Sequence, residues 1–298
     1  MSVERGAVAL SEFPGPFDLQ STVESGQSYL WDRADGLMYD ESGAYGGDSW
    51  YETVVRVDGE PAVVRVRQVD DRLEWESSVD AAPVLRERLR LDDDLPAIRA
   101  VTPDDDVIER AFDAYWGMHL VDDPAFPCLV SFICSAQMRV ARIHGMQREL
   151  ERAFGPTVEF DGRTYHGFPT AEQLAAATEA ELRDLGLGYR APYVRDTARM
   201  VADGEAAPEE AVGLDYEDAR DSLTRFVGVG DKVADCVLLF ALDYLEAVPL
   251  DTWIRTTIDE YYPDCDRGNY ADTSRAIRAA LGGEFAGYAQ TYVFHYLR

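Results

Sequence analysis

The sequence predicts an α+β protein: an N-terminal antiparallel β-sheet domain over residues 1–110, followed by an all-helical domain over residues 111–298. Three observations carry this. Residues Phe17 to about Glu76 read as strands joined by acidic turns, the character changes to capped helices from Pro103 onward, and no internal repeat links the two halves. A chain of 298 residues with 46% hydrophobic content is long enough for one large core or two ordinary ones.

In the first half, VVRV at 54–57 and VVRVRQV at 63–69 alternate apolar and polar residues around Asp58-Gly59, a turn signal. LEWES at 73–77 follows a second acidic turn, which gives an antiparallel meander with one buried face. PVLRERLRL at 83–91 then reads as a helix leading into two acidic stretches. In the second half, Asp104 to Asp106 suit the first turn of IERAFDAYW. Thr170 and Thr178, each followed three residues later by Gln173 or Glu181, form capping-box patterns, and Gly186 is a C-terminal stop.

Composition narrows the function classes. No apolar run is long enough to span a bilayer, and MSVERGAVALSEF lacks a basic region followed by an apolar one, so a cytoplasmic, membrane-free protein is expected. The four cysteines form no CxxC pair. This argues against a disulfide framework, a zinc site or an iron-sulfur cluster, and each is expected as a buried, reduced thiol. A net charge of −28 ordinarily counts against a nucleic-acid partner. Here the acid is dispersed, with DDD at 92–94 and 104–106, and lysine is nearly absent, a composition that resembles proteins of salt-loving cells. At multimolar salt the Debye length is about 3 Å, so distant acidic charge hardly repels a DNA strand.

Lys232 is the one lysine of the chain; arginine fills every other Lys/Arg position. An arginine would keep the charge, but a guanidinium does not lose its proton and attack carbon. Lys232 follows Val227-Gly228-Val229-Gly230-Asp231, which separates the helix DYEDARDSLTRF from the helix KVADCVLLFALDY. Gly228 and Gly230 permit a tight turn and leave backbone N–H groups uncovered, so a phosphate can approach the second helix. The first-turn position of Lys232 disfavours an ammonium and should make the neutral amine more accessible. Cys236, at i+4, shares its helical face. Asp251, after a proline-containing extended run, is either a helix cap alone or also a general base or stabiliser of a cationic sugar.

The stretch GVGDKVADCVLLFALDYLEAVPLDT resembles the core of the helix-hairpin-helix DNA glycosylases, and among them the 8-oxoguanine DNA glycosylase branch. SGQSYLW, FICSAQMRVARIHGM, YHGFP, LGLGYRAPYV and AGYAQTYVF extend the resemblance, in order, over most of the chain. It implies a bifunctional glycosylase/lyase acting on a nucleotide flipped out of the duplex. Lys232 would attack the sugar C1′, with Asp251 assisting proton transfer, and a Schiff base would lead to β-elimination. Phe294 and Cys236 would sandwich the damaged base and Gln290 would bond its Watson–Crick edge. The carbonyl of Gly26 would accept from N7–H, and Phe132 would line the same pocket. Arg142 and Arg190 match the arginines that hold the estranged cytosine, Tyr189 matches the aromatic wedge, and Gly228 and Gly230 are the phosphate-binding turn.

Two positions depart from the family pattern. Gln137 stands where relatives carry an asparagine, and Trp253 replaces a histidine. His119, His144, His166 and His295 read as structural or surface residues. No metal or cofactor is required, although a monovalent cation on the hairpin carbonyls is compatible with the turn. The implied partner is double-stranded DNA containing an oxidised purine, met by a monomer. Two other readings stay open: a glycosylase of the same fold for alkylated purines, and a non-catalytic helix-hairpin-helix DNA-binding module, which would need neither Lys232 nor Asp251.

Overall fold

The computed structural model describes residues 3–39 and 49–297. Strands β1 (Glu4–Ala9), β2 (Asp32–Arg33), β3 (Tyr51–Val57), β4 (Glu60–Val69) and β5 (Arg72–Ser77) form one antiparallel sheet in the order β1-β5-β4-β3-β2. The β3–β4 hairpin closes through Asp58 and Gly59, whose φ values of 51° and 84° are those of a two-residue primed turn. Val64, Val66 and Leu73 point into a core shared with Leu19, Val23, Leu85 and Leu89.

Two details differ from the expected meander. Leu19–Glu24 is a helix (α1) rather than strand, because the Asp18 carboxylate accepts the Ser21 N–H at 2.7 Å and Leu19 and Val23 share its buried side. The second face of the sheet is also partly covered. Val63 packs there against Val158, Phe160 and Tyr165 from a short hairpin, β6 (Thr157–Phe160) and β7 (Arg163–His166), carried within the helical half.

The helices after the sheet are α2 (Ala82–Arg88), α3 (Leu95–Val101), α4 (Asp106–Tyr115), α5 (Ala125–Ser135), α6 (Val140–Phe154), α7 (Ala171–Ala176), α8 (Glu179–Leu182), α9 (Ala191–Ala202), α10 (Tyr216–Leu223), α11 (Asp231–Ala241), α12 (Thr252–Tyr261), α13 (Tyr270–Ala280) and α14 (Ala286–Leu297). Asp105 caps α4 and Asp106 occupies its first turn, while Asp104 lies outside it. Both expected capping boxes form, at Thr170 with Gln173 and at Thr178 with Glu181. Beyond α8 the chain turns at Gly186, whose φ of 87° ends the helical path. Buried α5 and α11 pack on each other through the main core, which includes Cys128, Leu129, Ile133, Ala234, Val237 and Leu238. No helix of the described residues is long and apolar enough to cross a membrane. Cys128, Cys134 and Cys236 are buried free thiols, and Cys265 is half-buried.

Candidate active site

The helix-hairpin-helix is α10, the turn through Gly230, and α11. Its two glycines do different work. Gly228 has φ 84°, and a Cβ there would lie 2.7 Å from the Tyr193 ring, so the fold itself demands glycine. A Cβ on Gly230 would meet nothing within 4 Å, so the space before the α11 N-terminus is open for another molecule. The turn is fixed from α9, where the Thr197 hydroxyl donates to the Val227 carbonyl at 2.9 Å.

Lys232, in the first turn of α11, is half-buried, and its Nζ donates to Ser135 Oγ at 3.0 Å. The Ser135 hydroxyl spends its own proton on the Phe132 carbonyl at 2.7 Å, so toward the lysine it acts as an acceptor. The amine also lies 5.3 Å from the centre of the Phe132 ring. Asp251 caps α12, accepting the Ile254 N–H at 2.8 Å. Besides capping α12, Asp251 borders the cavity that Lys232 enters.

That cavity, about 60 Å³, is lined by Gly26, Phe132, Lys232, Cys236, Asp251, Gln290 and Phe294, together with Tyr29, Phe240 and neighbouring segments. The structure thus brings together every residue singled out for the chemistry and for the damaged base. Burial pushes the Cys236 thiol up to about 12 despite the nearby Lys232, so it presents a neutral, apolar surface. Gln290 is buried with its Oε1 lacking a partner, an acceptor held open at the cavity wall. Gly26 is placed by its neighbour Gln27, whose amide donates to the Thr22 and His119 carbonyls and accepts the Val121 N–H. His119 in turn is buried against the Arg90 and Pro16 carbonyls, a structural role. A larger cavity of about 440 Å³ lies between sheet and helices, lined by Trp31, Val54, Phe126 and Phe168, but it contains neither Lys232 nor Asp251. The reactive groups, not the volume, mark the site.

The residues assigned to the opposite strand lie outside this cavity. Gln137 is exposed between α5 and α6 and holds φ 57°, a left-handed conformation that asparagine tolerates better and that costs glutamine about 1 kcal/mol. Arg142 is exposed on α6, with Nη2 against Gly186, where a Cβ would come within 2.4 Å of it. Tyr189 is 52% exposed and meets Tyr193 edge-on at 6.2 Å, so the aromatic pair adjoins the hairpin. Arg190 is a correction. Expected as a DNA-facing cation, it is 3% exposed, lies over the Tyr189 ring at 4.3 Å and donates to the Ala136 carbonyl. The tight turn Gly188–Arg190 directs its side chain inward, where it braces the loop that presents Gln137. Trp253, in the first turn of α12, is 53% exposed beside Asp251.

Seven arginines share one property. Among the described residues Arg56, Arg110, Arg139, Arg142, Arg190, Arg255 and Arg267 have no carboxylate within ion-pair distance. Arg139 and Arg142 open α6, directly after the α5 segment that carries Phe132 and Ser135, and Arg255 lies one turn after Asp251 in α12, all three exposed. Sequence reasoning missed Ser135, which the motif FICS contains but which gains meaning from Lys232 alone, 97 residues away. The described residues contain no cluster of His, Cys, Asp and Glu that could hold a metal ion.

Residues 130–281 match the profile of the HhH-GPD superfamily base excision DNA repair proteins. The chain is 32% identical to a probable N-glycosylase/DNA lyase of Methanothermobacter thermautotrophicus, over 95% of this chain and 94% of that protein. It superposes on the structure of MBOgg1 in complex with a low-affinity DNA ligand with a TM-score of 0.84 at 27% identity, covering 99% of this chain and 97% of that one. The fold is shared with the 8-oxoguanine glycosylase/lyase of Clostridium acetobutylicum bound to DNA with cytosine opposite 8-oxoguanine, at TM-score 0.82 and 24% identity, over 100% of this chain and 98% of that one. With a lone lysine at a hairpin-led helix, an aspartate across the same cavity and a relative alike along nearly its whole length, the chain belongs to the HhH-GPD superfamily of base excision DNA repair proteins.

Proposed function

We propose that this protein is a bifunctional DNA glycosylase/AP lyase that excises 8-oxoguanine opposite cytosine from duplex DNA. The observation that carries this reading is that Lys232, Asp251 and the unpartnered acceptor of Gln290 line one cavity. A base must leave the stack to reach it. At about 60 Å³ the cavity is well below the roughly 300 Å³ at which ordinary ligand sites begin, so a purine enters only as the lining opens.

The chemistry follows from the groups present. The deprotonated Lys232 amine uses its lone pair to form a bond to C1′, and the glycosidic bond breaks with its electrons going to the base, which takes up a proton. The carboxylate of Asp251, on the wall of the same cavity, stabilises the cationic sugar in the transition state. Loss of a proton from the amine nitrogen and opening of the sugar ring give the Schiff base. Removal of a C2′ proton then expels the 3′ phosphate and nicks the strand. The hydroxyl of Ser135, accepting one N–H, orients the amine. Phe132, Cys236 and Phe294 offer apolar faces to the flipped base, Gln290 reads its edge, and the Gly26 carbonyl selects the N7–H that guanine lacks. Gln137 and Arg142 face the opposite strand, Tyr189 fills the vacated gap, and the open space before Gly230 admits a phosphate. In this reading the protein acts as a monomer.

The test is a duplex carrying one 8-oxoguanine opposite cytosine, compared with one carrying an alkylated purine. Preferential release and nicking at 8-oxoguanine is expected; equal or better release of the alkylated base contradicts the lesion assignment.

A further inference from the structure

The amine and the carboxylate sit on different elements, α11 and the segment leading into α12. Something must hold the two in register. The contacts converge on Tyr270, the first residue of α13, which does not line the cavity. Its hydroxyl donates to Asp235 Oδ2 at 2.7 Å and accepts the backbone N–H of Leu250 at 3.1 Å. Asp235 is fully buried on α11, three residues after Lys232, and Leu250 is the buried residue directly before Asp251.

We propose that Tyr270 is a positioning residue for the excision reaction, its phenol tying the lysine-bearing helix to the backbone next to Asp251. The Leu250 N–H can only donate, so the phenol oxygen accepts from it, and with Asp235 ionised the carboxylate takes the phenol proton; a phenylalanine provides neither bond. Tyr216 supplies an internal comparison. Its hydroxyl donates to the other oxygen, Asp235 Oδ1, at 2.6 Å, but no bond of it reaches the segment before Asp251. The guanidinium of Arg220 lies about equally over both rings, at 5.4 Å and 5.5 Å, while Arg278 lies over Tyr216 alone at 3.9 Å and Arg255 over Tyr270 alone at 5.7 Å, so each phenol has one shared cation and one of its own. They differ in what they hold: Tyr216 joins Asp235 to Ser274 of α13, at 3.4 Å, whereas Tyr270 couples Asp235 to the backbone before Asp251.

This inference rests on the glycosylase/lyase reading, and the experiment separates the two. Base release from an 8-oxoguanine:cytosine duplex is measured under single-turnover conditions, with duplex affinity and Tm, for the wild type, Tyr270→Phe and Tyr216→Phe. The expected result is a release rate at least about tenfold lower for Tyr270→Phe, because small misplacements of reacting groups are costly. Its duplex affinity should stay within about threefold of wild type, and Tyr216→Phe should fall in Tm by a similar amount while keeping its rate within about threefold. A Tyr270→Phe rate within that margin of wild type, or equal slowing in both variants, overturns the positioning role. Absence of release by the wild type overturns the underlying reading instead, and the inference with it.

Discussion

Arginine behaves differently on the sheet and around the cavity. On the sheet, Arg56 excepted, charge is matched between neighbours: Arg5 pairs with Glu76, Glu76 with Arg65, Arg65 with Glu52, and Glu52 with Arg163 of the β6–β7 hairpin, at 2.6–2.9 Å. The strand register sets the first three of these pairs opposite one another, and Arg65 also lies over the Trp50 ring at 5.0 Å. On the helices next to the cavity-lining segments, Arg139, Arg142 and Arg255 have no such partner among the described residues. The difference teaches how a chain of net charge −28 can engage a polyanion. What counts is which cations are left unneutralised and where, since the rest are already consumed within the fold.

The comparison can be broken most sharply at Lys232. Lys232→Gln should lower base release by more than about a thousandfold and remove borohydride-trapped adduct, while duplex binding survives. Loss of binding without loss of chemistry would return this lysine to the ordinary phosphate-contacting cations. Arg142→Ala comes next. It should weaken duplex binding about tenfold, lower the slope of log affinity against log salt by about one, and relax the preference for cytosine opposite the lesion. An unchanged salt slope would show that Arg142 does not meet the DNA. Arg65→Ala should have the reverse profile, lowering Tm by several degrees through a loss of about 1–3 kcal/mol while leaving duplex affinity unchanged. An effect on affinity would blur the division between the two arginine populations.

The smallest effect concerns pH. Burial pushes the Asp235 carboxyl up from 3.8 to about 7, against the opposing hydrogen bonds of Tyr216 and Tyr270 and the charges of Arg220 and Arg278. The folded state therefore holds this proton more tightly than the unfolded state. Its contribution to stability is complete below the unfolded value and is lost as pH rises from about 4 to about 7. An asparagine side chain cannot titrate, so wild type should lose Tm relative to Asp235→Asn across that window and run parallel to it above. Parallel curves throughout would mean that Asp235 stays ionised in the fold.

Much of this was legible in the sequence because it is local. Two threonine capping boxes, the Asp58-Gly59 turn, the glycine hairpin and the Asp251 cap are each decided within a few residues. The β6–β7 hairpin carried the same signal in Asp161-Gly162, with φ 49° and 74°, but its four-residue strands are too short to stand out among helices. The missing parts are contacts between distant segments. Ser135 meets Lys232 from another helix, Tyr270 joins α11 to Leu250, and Arg190 turns inward to Ala136. Nothing within a short window fixes such meetings; they depend on how the helices pack.

The most direct test of the central claim uses the scarcity of lysine. The chain offers two primary amines, Lys232 Nζ and its α-amino group, as candidates for a Schiff base with deoxyribose. Borohydride reduction during turnover on an 8-oxoguanine duplex, followed by proteolysis and mass mapping, should place the sugar remnant on the peptide containing Lys232. A remnant on the α-amino group, or nicking with no adduct on either amine, would contradict the mechanism.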